Sequence, residues 1–372
     1  MTCRIEKVNS LKLYGEAVSN NWYDENEIRF FEYDLKKFRR RIHNELSRLE
    51  LPKHSSIYHV QESWGNNYND DPRIKAHWVA VDNEKYFGPD FDSLNLSGLY
   101  FVLNLNHQER ETDDFWVDFY RLTLPNFNLE FDFERSSFQV LPINYTDVFE
   151  FTSIDYYVPV KIEFSDLIYR LRSIATLSAL LSLGHRMDEL RLRMELALET
   201  GFSLSDLKEI ILQISLYAGF PRSLNGMACL RGLMESRNER GQKTAEGQNP
   251  SPQPAGISRY QLGWDTLQSL DPDFIHRLKA GLDPVSPELF NLVLEHGYAD
   301  IFYRDNLDIR QREAAVVAAM VAVENADPQL SFHIKAAMGT GIDRNLMKDI
   351  IRAAAEAAGN DPEHALSLLP AD

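Results

Sequence analysis

The sequence predicts a multidomain chain, an α+β segment over residues 1–162 followed by an all-α segment built as a tandem repeat. Three observations predict it. Before residue 162, short stretches alternate apolar and polar residues, the period of half-buried strands, and Trp22, Trp64, Trp78 and Trp116 all fall there. From Phe164 onward the apolar period is 3.6. The helical part also aligns with itself: at a constant, gapless offset of 140, residues 172–221 and 312–361 share about 12 of 50 identities, among them Thr200/Thr340, Gly201/Gly341 and Gly219/Gly359. Each unit of such a repeat buries its apolar face on its partner, which predicts an intrachain pseudo-dimer.

In chain order, NEIRFFEYDLKKF (26–38) has helical spacing, and GLYFVLNLNH (98–107) and FNLEFDFERSSFQV (127–140) alternate as strands. ETDDFWVDFYRLTLP (111–125) reads as a helix opened by Thr112 and stopped before Pro125. Helical runs then cover 165–184, 188–201 and 205–219, the latter two closed by Gly201 and Gly219. RNERGQKTAEGQNPSPQPAG (237–256) is polar and Pro-rich and reads as a linker, and helical patterning resumes at WDTLQSL (264–270). The predicted domains are therefore 1–162, a first repeat 163–236, the linker 237–256 and a second repeat 257–372.

Composition bounds the function. The formal net charge of −17 disfavours nucleic acid, whose binding rests on Lys/Arg neutralisation of phosphates. The basic stretch FRRRIHNELSRLE (38–50) fits a solvated helix face. No run of about 18 apolar residues predicts a membrane span, and the N-terminus lacks a signal-peptide apolar stretch. With only Cys3 and Cys229, a disulfide framework, a CxxC pair and a thiolate zinc site are not expected. A cytoplasmic protein is expected. No metal-ligand spacing occurs, so no metal or other cofactor is expected.

The two repeats differ where chemistry would sit. On the helix 206–218, Glu209, Gln213 and Tyr217 are spaced by four and form a polar line beside the stripe Leu207, Ile210, Ile211 and Ile214. The corresponding line in the second repeat reads Asp349, Ala353, Ala357. A polar line of this kind either borders a core or performs acid–base work, and the spacing does not choose between them. The first repeat ends YAGFPRSLNG (217–226), and the second AAGNDPEHAL (357–366).

The stretches LRMELALETGFSLSDLKEIILQISLYAGFP and LDIRQREAAVVAAMVAVENADPQLSFHIKAAMGTGI resemble the carboxymuconolactone decarboxylase family, within the alkyl hydroperoxidase D-like superfamily. The resemblance covers roughly 164–235 and 259–361. It implies an all-α fold with sites between helices, with further association into homo-oligomers left open. The peroxidase branch's cysteine pair is replaced here by Pro221 and Leu224, which disfavours a cysteine-dependent peroxidase and leaves Cys229 to packing. For the decarboxylase branch the resemblance implies acid–base groups: Glu209 as acid/base, with Tyr217 and Gln213 orienting. His333 in HIKAA stands where the family often carries a histidine and the first repeat has Arg193. His333 reads equally as a satisfied interface histidine, and His296 and Tyr298 are further candidates for the same cleft.

The N-terminal stretches LKLYGEAVSNNW, IYHVQESW, DFDFERSSFQV and IDYYVPVKI resemble the GyrI-like small-molecule-binding domain. That likeness implies an aromatic ligand groove with one carboxylate, here Glu134, lined by Tyr58, Trp78, Trp116 and Tyr157. Alternation alone equally makes Glu130, Asp132 and Glu134 a solvated strand face, and Trp116 equally part of a helix core. The expected partner is a small organic ligand, with no nucleic acid and no membrane. Two functions stay open: a carboxymuconolactone decarboxylase-like carboxy-lyase with a fused ligand-binding domain, or a non-catalytic small-molecule binding or sensing protein on these scaffolds.

Overall fold

The computed structural model describes residues 2–19, 56–63, 74–82, 92–105, 115, 118–127, 129–132, 135–142, 154–162, 166–324 and 326–370. The chain divides into two compact units, Met1–Glu163 and Phe164–Asp372. The first carries the sheet and the second is helical throughout its described elements, as the sequence predicts.

The strands of the first unit are β1 (Thr2–Ser19), β2 (Ser56–Ser63), β3 (Ile74–Val81), β4 (Asp92–Leu105), β5 (Leu129–Phe131), β6 (Ser137–Pro142) and β7 (Ile154–Ile162). All pairings are antiparallel in the order β4-β1-β3-β2-β6-β7-β5, and β4 also pairs with β7. Six strands thus close on themselves, and closure removes exposed edges. Alternation sorts the side chains of β4. Tyr100 and Val102 join Leu13, Val60, Ala80, Leu96, Phe138 and Tyr157 in one buried cluster. Phe101 packs instead on Phe119 and Phe127.

Two local expectations change. The stretch 127–140 is two strands, β5 and β6, broken at Arg135. Its guanidinium donates to the carbonyls of Ser97 (3.0 Å), Leu99 (3.1 Å) and Val160 (2.6 Å), and to Oδ2 of Asp132 at 2.7 Å. These charge-assisted bonds outweigh continuation of the ladder. They also explain Gly98, whose φ of +110° and position under the guanidinium leave no room for a Cβ. The helix expected to stop before Pro125 runs through it: a π-helical turn Phe119–Thr123 passes into Leu124–Asn126. The π-helical turn shifts the hydrogen-bond register just before Pro125, and the run ends at Asn126, one residue after it. The expected helix 26–38 and the basic stretch 38–50 lie outside the described residues.

The helices of the second unit are α1 (Asp166–Leu183), α2 (Met187–Glu199), α3 (Leu204–Ala218), α4 (Phe220–Glu239), α5 (Arg259–Leu270), α6 (Pro272–Leu282), α7 (Pro287–Leu292), α8 (Ile309–Val323), α9 (Asp327–Gly339), α10 (Arg344–Ala358) and α11 (Pro362–Ser367). A π-helical run, Val293–Phe302, continues α7. The bounds of α2 and α3, each advanced by 140, are those of α9 and α10. The caps agree as well: Gly201 and Gly341 have φ of +104° and +99°. Helix α1 packs on α8, α3 on α8, and α10 on α1.

The stretch YAGFPRSLNG does not end a helical hairpin. Gly219 caps α3 and starts α4 directly, so GMACLRG (226–232) lies inside α4. Gly226 is small because Leu181 packs where its Cβ would be. The linker is also more structured than its composition suggests. The carbonyls of Ala245 and Glu246 accept from the N–H groups of Leu204 (2.8 Å) and Ser205 (2.9 Å), and Ser251 Oγ donates to Asp305 at 2.6 Å. The strap thereby satisfies N–H groups at the start of α3 that have no partner within the helix. No described helix is long and apolar enough to cross a membrane.

Candidate functional site

Helix α3 buries its apolar stripe and the first two members of its polar line, while Tyr217 is half-buried. Glu209 is 2% exposed and Gln213 is 0% exposed. Buried polar groups of this kind require partners, and the loop Tyr303–Asp308 with the start of α8 supplies them. Arg304 donates to both carboxylate oxygens of Glu209, Nε to Oε2 at 2.8 Å and Nη2 to Oε1 at 2.5 Å. Arg312, fully buried, donates to Glu209 Oε2 at 3.1 Å and to Gln213 Oε1 at 3.0 Å. Its Nε and Nη2 also donate to the Arg304 carbonyl. Burial pushes the Glu209 carboxyl up, but hydrogen bonds from Arg304, Asn306 and Arg312 outweigh it and hold the carboxyl below its ordinary value. A carboxylate engaged by two guanidiniums is a poor proton acceptor. The geometry therefore places Glu209 and Gln213 in a packing network that ties α3 to α8, and the acid/base role expected of Glu209 does not fit it.

One turn further along α3, Tyr217 meets a second cluster. Its hydroxyl lies 3.5 Å from Nε2 of His333 on α9, with the rings edge to face at 5.7 Å. Nδ1 of His333 lies 2.8 Å from Oε2 of Glu313 on α8. Glu313 is 0% exposed and His333 5%. An ionised carboxylate only accepts, so this contact assigns the proton to Nδ1 and leaves Nε2 facing Tyr217. Phe302 stacks on the imidazole at 6.2 Å and Phe332 meets it edge-on at 4.9 Å. Burial, then Tyr298 and Glu313, push the Tyr217 phenol well above its ordinary value, and burial does the same for Tyr298. Tyr217 therefore stays a neutral hydroxyl.

Of the residues singled out from sequence, Tyr217 and His333 come together, and Tyr298 lies beside them. His296 does not join them; it contacts Phe220 and lies 3.5 Å from Asp300. Glu313, Arg304 and Arg312 escaped the sequence reading. Arg304 stands in the polar loop YRDNLD, and Arg312 and Glu313 stand in DIRQREAAVVAAM at the mouth of a long apolar run, where neither shows its partner. Cys229 Sγ contacts the Met187 carbonyl at 3.7 Å, and burial pushes its thiol up, against the thiolate a peroxidase needs.

In the first unit Tyr157 and Tyr58 are placed, while Glu134 and Trp116 lie outside the described residues. Trp78 pairs with Ala17 and Val60 in β3, and its side chain lies outside them too. Tyr157 stacks on Phe138 at 4.2 Å, and burial pushes its phenol up to about 12. Its hydroxyl accepts from Arg4 at 2.9 Å and donates to Glu6 at 3.3 Å, and Arg4 also pairs with Asp155 at 2.9 Å. Tyr58 donates to Asp82 at 3.4 Å.

Comparison with known proteins finds a family match within the second unit. Residues 287–370, which include Glu313 and His333, match the carboxymuconolactone decarboxylase family. A 4-carboxymuconolactone decarboxylase from Acinetobacter baylyi is 48% identical over 52 residues, 14% of this chain and 38% of that protein. The chain thus matches little more than a third of that relative's length. Among solved structures, a protein bound to tetraphenylphosphonium is 16% identical, with a TM-score of 0.31, over 43% of this chain and 94% of that one. A transcription regulation protein from Staphylococcus aureus MU50 gives 16% identity and a TM-score of 0.29 over 43% and 99%.

Proposed function

We propose that the helical unit is a decarboxylase-type catalyst of a small carboxylated lactone, with His333 moving the proton. The observation that carries this reading is the buried Glu313–His333 pair at 2.8 Å, which fixes the imidazole and directs Nε2 toward the Tyr217 hydroxyl. Loss of carbon dioxide leaves the bonding electron pair on carbon, where a conjugated lactone carbonyl delocalises it. The product then needs one proton on carbon. A carboxylate-oriented imidazole that first takes a proton from solvent at Nε2 can deliver it to that carbon and return to the neutral form, work worth about 10²–10⁴-fold in rate. The name of the Acinetobacter relative supplies the probe substrate, 4-carboxymuconolactone. The test is release of carbon dioxide from that lactone by the wild type and by His333→Gln. Release by the wild type alone supports the reading, and equal rates for both sink it.

The sheet unit, on this reading, binds a small organic molecule. The aromatic cluster Tyr100, Phe138 and Tyr157, edged by Arg4, Glu6 and Asp155, supports that role, since aromatic faces with a few convergent charges suit such ligands. The competing reading is a binding protein without turnover. It is favoured by the first repeat, where Arg193 stands in place of a histidine. Recovery of the lactone unchanged from a stable complex would establish it.

A further inference from the structure

The chemical groups of the helical unit are distributed unequally over positions that correspond at the offset of 140. Glu313 corresponds to Ser173, His333 to Arg193, and Tyr217 to Ala357. The helices bearing them correspond too, because the bounds of α2 and α3 advanced by 140 are those of α9 and α10. The packing repeats in the same sense: α3 lies on α8, and α10 lies on α1. The end of α10 approaches the first repeat as the end of α3 approaches the second. Arg186 donates to the Ala357 carbonyl at 2.5 Å, and Glu356 acts electrostatically on Arg193.

We infer that the unit is an intrachain pseudo-dimer with one working centre, in which the first repeat lends Tyr217 to the Glu313–His333 pair of the second, while the counterpart around Ser173, Arg193 and Ala357 is chemically silent. The inference rests on the proton-transfer reading of His333. A guanidinium neither gives up nor accepts a proton under ordinary conditions, Ser173 offers no carboxylate to orient a base, and Ala357 offers no hydroxyl. Tyr217 is a positioning residue. Its phenol stays neutral, so it donates to Nε2 when that atom is bare and accepts from it when it carries a proton. It thereby holds the ring edge in both states. A homodimer would have two such centres by symmetry. Joining two copies in one chain removes that constraint and lets one centre lapse.

The test uses the full chain labelled with ¹⁵N-histidine, with His333 assigned from His333→Gln, beside carbon dioxide release from 4-carboxymuconolactone. Tyr217→Phe is expected to shift the His333 Nε2 signal and lower kcat about tenfold to a hundredfold, with KM little changed. Ser173→Ala is expected to leave kcat and the His333 signals unchanged. An unshifted Nε2 in Tyr217→Phe, or a loss of kcat in Ser173→Ala matching that of Tyr217→Phe, would overturn the inference. A wild type that releases no carbon dioxide refutes the reaction reading, whereas the Nε2 shift on its own supports the shared centre.

Discussion

Nδ1 of His333 and Oε2 of Glu313 stand 2.8 Å apart in the interior of the helical unit, on α9 and α8. A carboxylate buried this completely is costly unless hydrogen-bonded, so its persistence beside an imidazole calls for a reason. Orientation of the base supplies one: removing the carboxylate frees the ring to flip its tautomer and lose its direction. Glu313→Gln should therefore lower kcat on 4-carboxymuconolactone by about a hundredfold or more, while the His333→Gln double variant loses nothing further. Steady-state rates of the two single variants and the double variant check this.

Glu209 carries a different load. Two arginines engage it, and one of them, Arg312, is 0% exposed. Glu209→Gln leaves Arg312 buried without its counter-charge, and breaking a buried pair in this way costs about 3 kcal/mol or more. Urea unfolding followed through the helical signal should show the loss, and Arg312→Met in the same background should recover part of it.

The same pair sets a pH dependence. The folded carboxyl of Glu209 lies below its ordinary value, so its contribution to stability is complete above the unfolded value of about 4.3 and is lost as pH falls below it. The stability gap between the wild type and Glu209→Gln should be constant near neutral pH and shrink on acidification through that region. Urea midpoints measured across the range decide it, and a gap that widens in acid would contradict the assignment.

Much of this was legible in the sequence. The passage from strands to helices near residue 162 and the helical period have counterparts in the fold, because each depends on apolar spacing that the chain cannot hide, and the offset of 140 reappears in the matching bounds of α2 and α3 with α9 and α10. Tyr217 and His333 were legible as polar exceptions within such spacing. The partners were not. Arg304 sits in a loop and Glu313 in an alanine-rich helix, and only the packing around α8, with α3 on one side and α9 on another, brings them to Glu209 and His333. The break between β5 and β6 was hidden for a similar reason. Arg135 reads as an ordinary surface residue until three carbonyls from β4 and β7 converge on it.

Arg135→Ala is accordingly a test of the sheet unit. The change strips donors from three carbonyls, of Ser97, Leu99 and Val160, and each hydrogen bond to a charged group contributes about 1.5–3 kcal/mol. Thermal unfolding of the full chain should show an earlier transition for the strand signal, and Arg135→Lys should recover only a fraction, lacking the planar fork.

Gly263→Ala probes the helical scaffold. A Cβ at Gly263 would overlap the Leu294 carbonyl, where α5 crosses the π-helical run. Overpacking against backbone costs about 1–3 kcal/mol, so the midpoint of helical unfolding should fall, with no change in the His333 signals of the folded protein.

The most direct measurement sets two glutamates against each other: carbon dioxide release from 4-carboxymuconolactone by Glu313→Gln and Glu209→Gln, each scaled to its folded fraction. Glu313→Gln is expected to stay folded and lose turnover, and Glu209→Gln to lose stability while its folded molecules turn over at the wild-type rate. The reverse pattern, with turnover abolished by Glu209→Gln and kept by Glu313→Gln, would contradict this expectation.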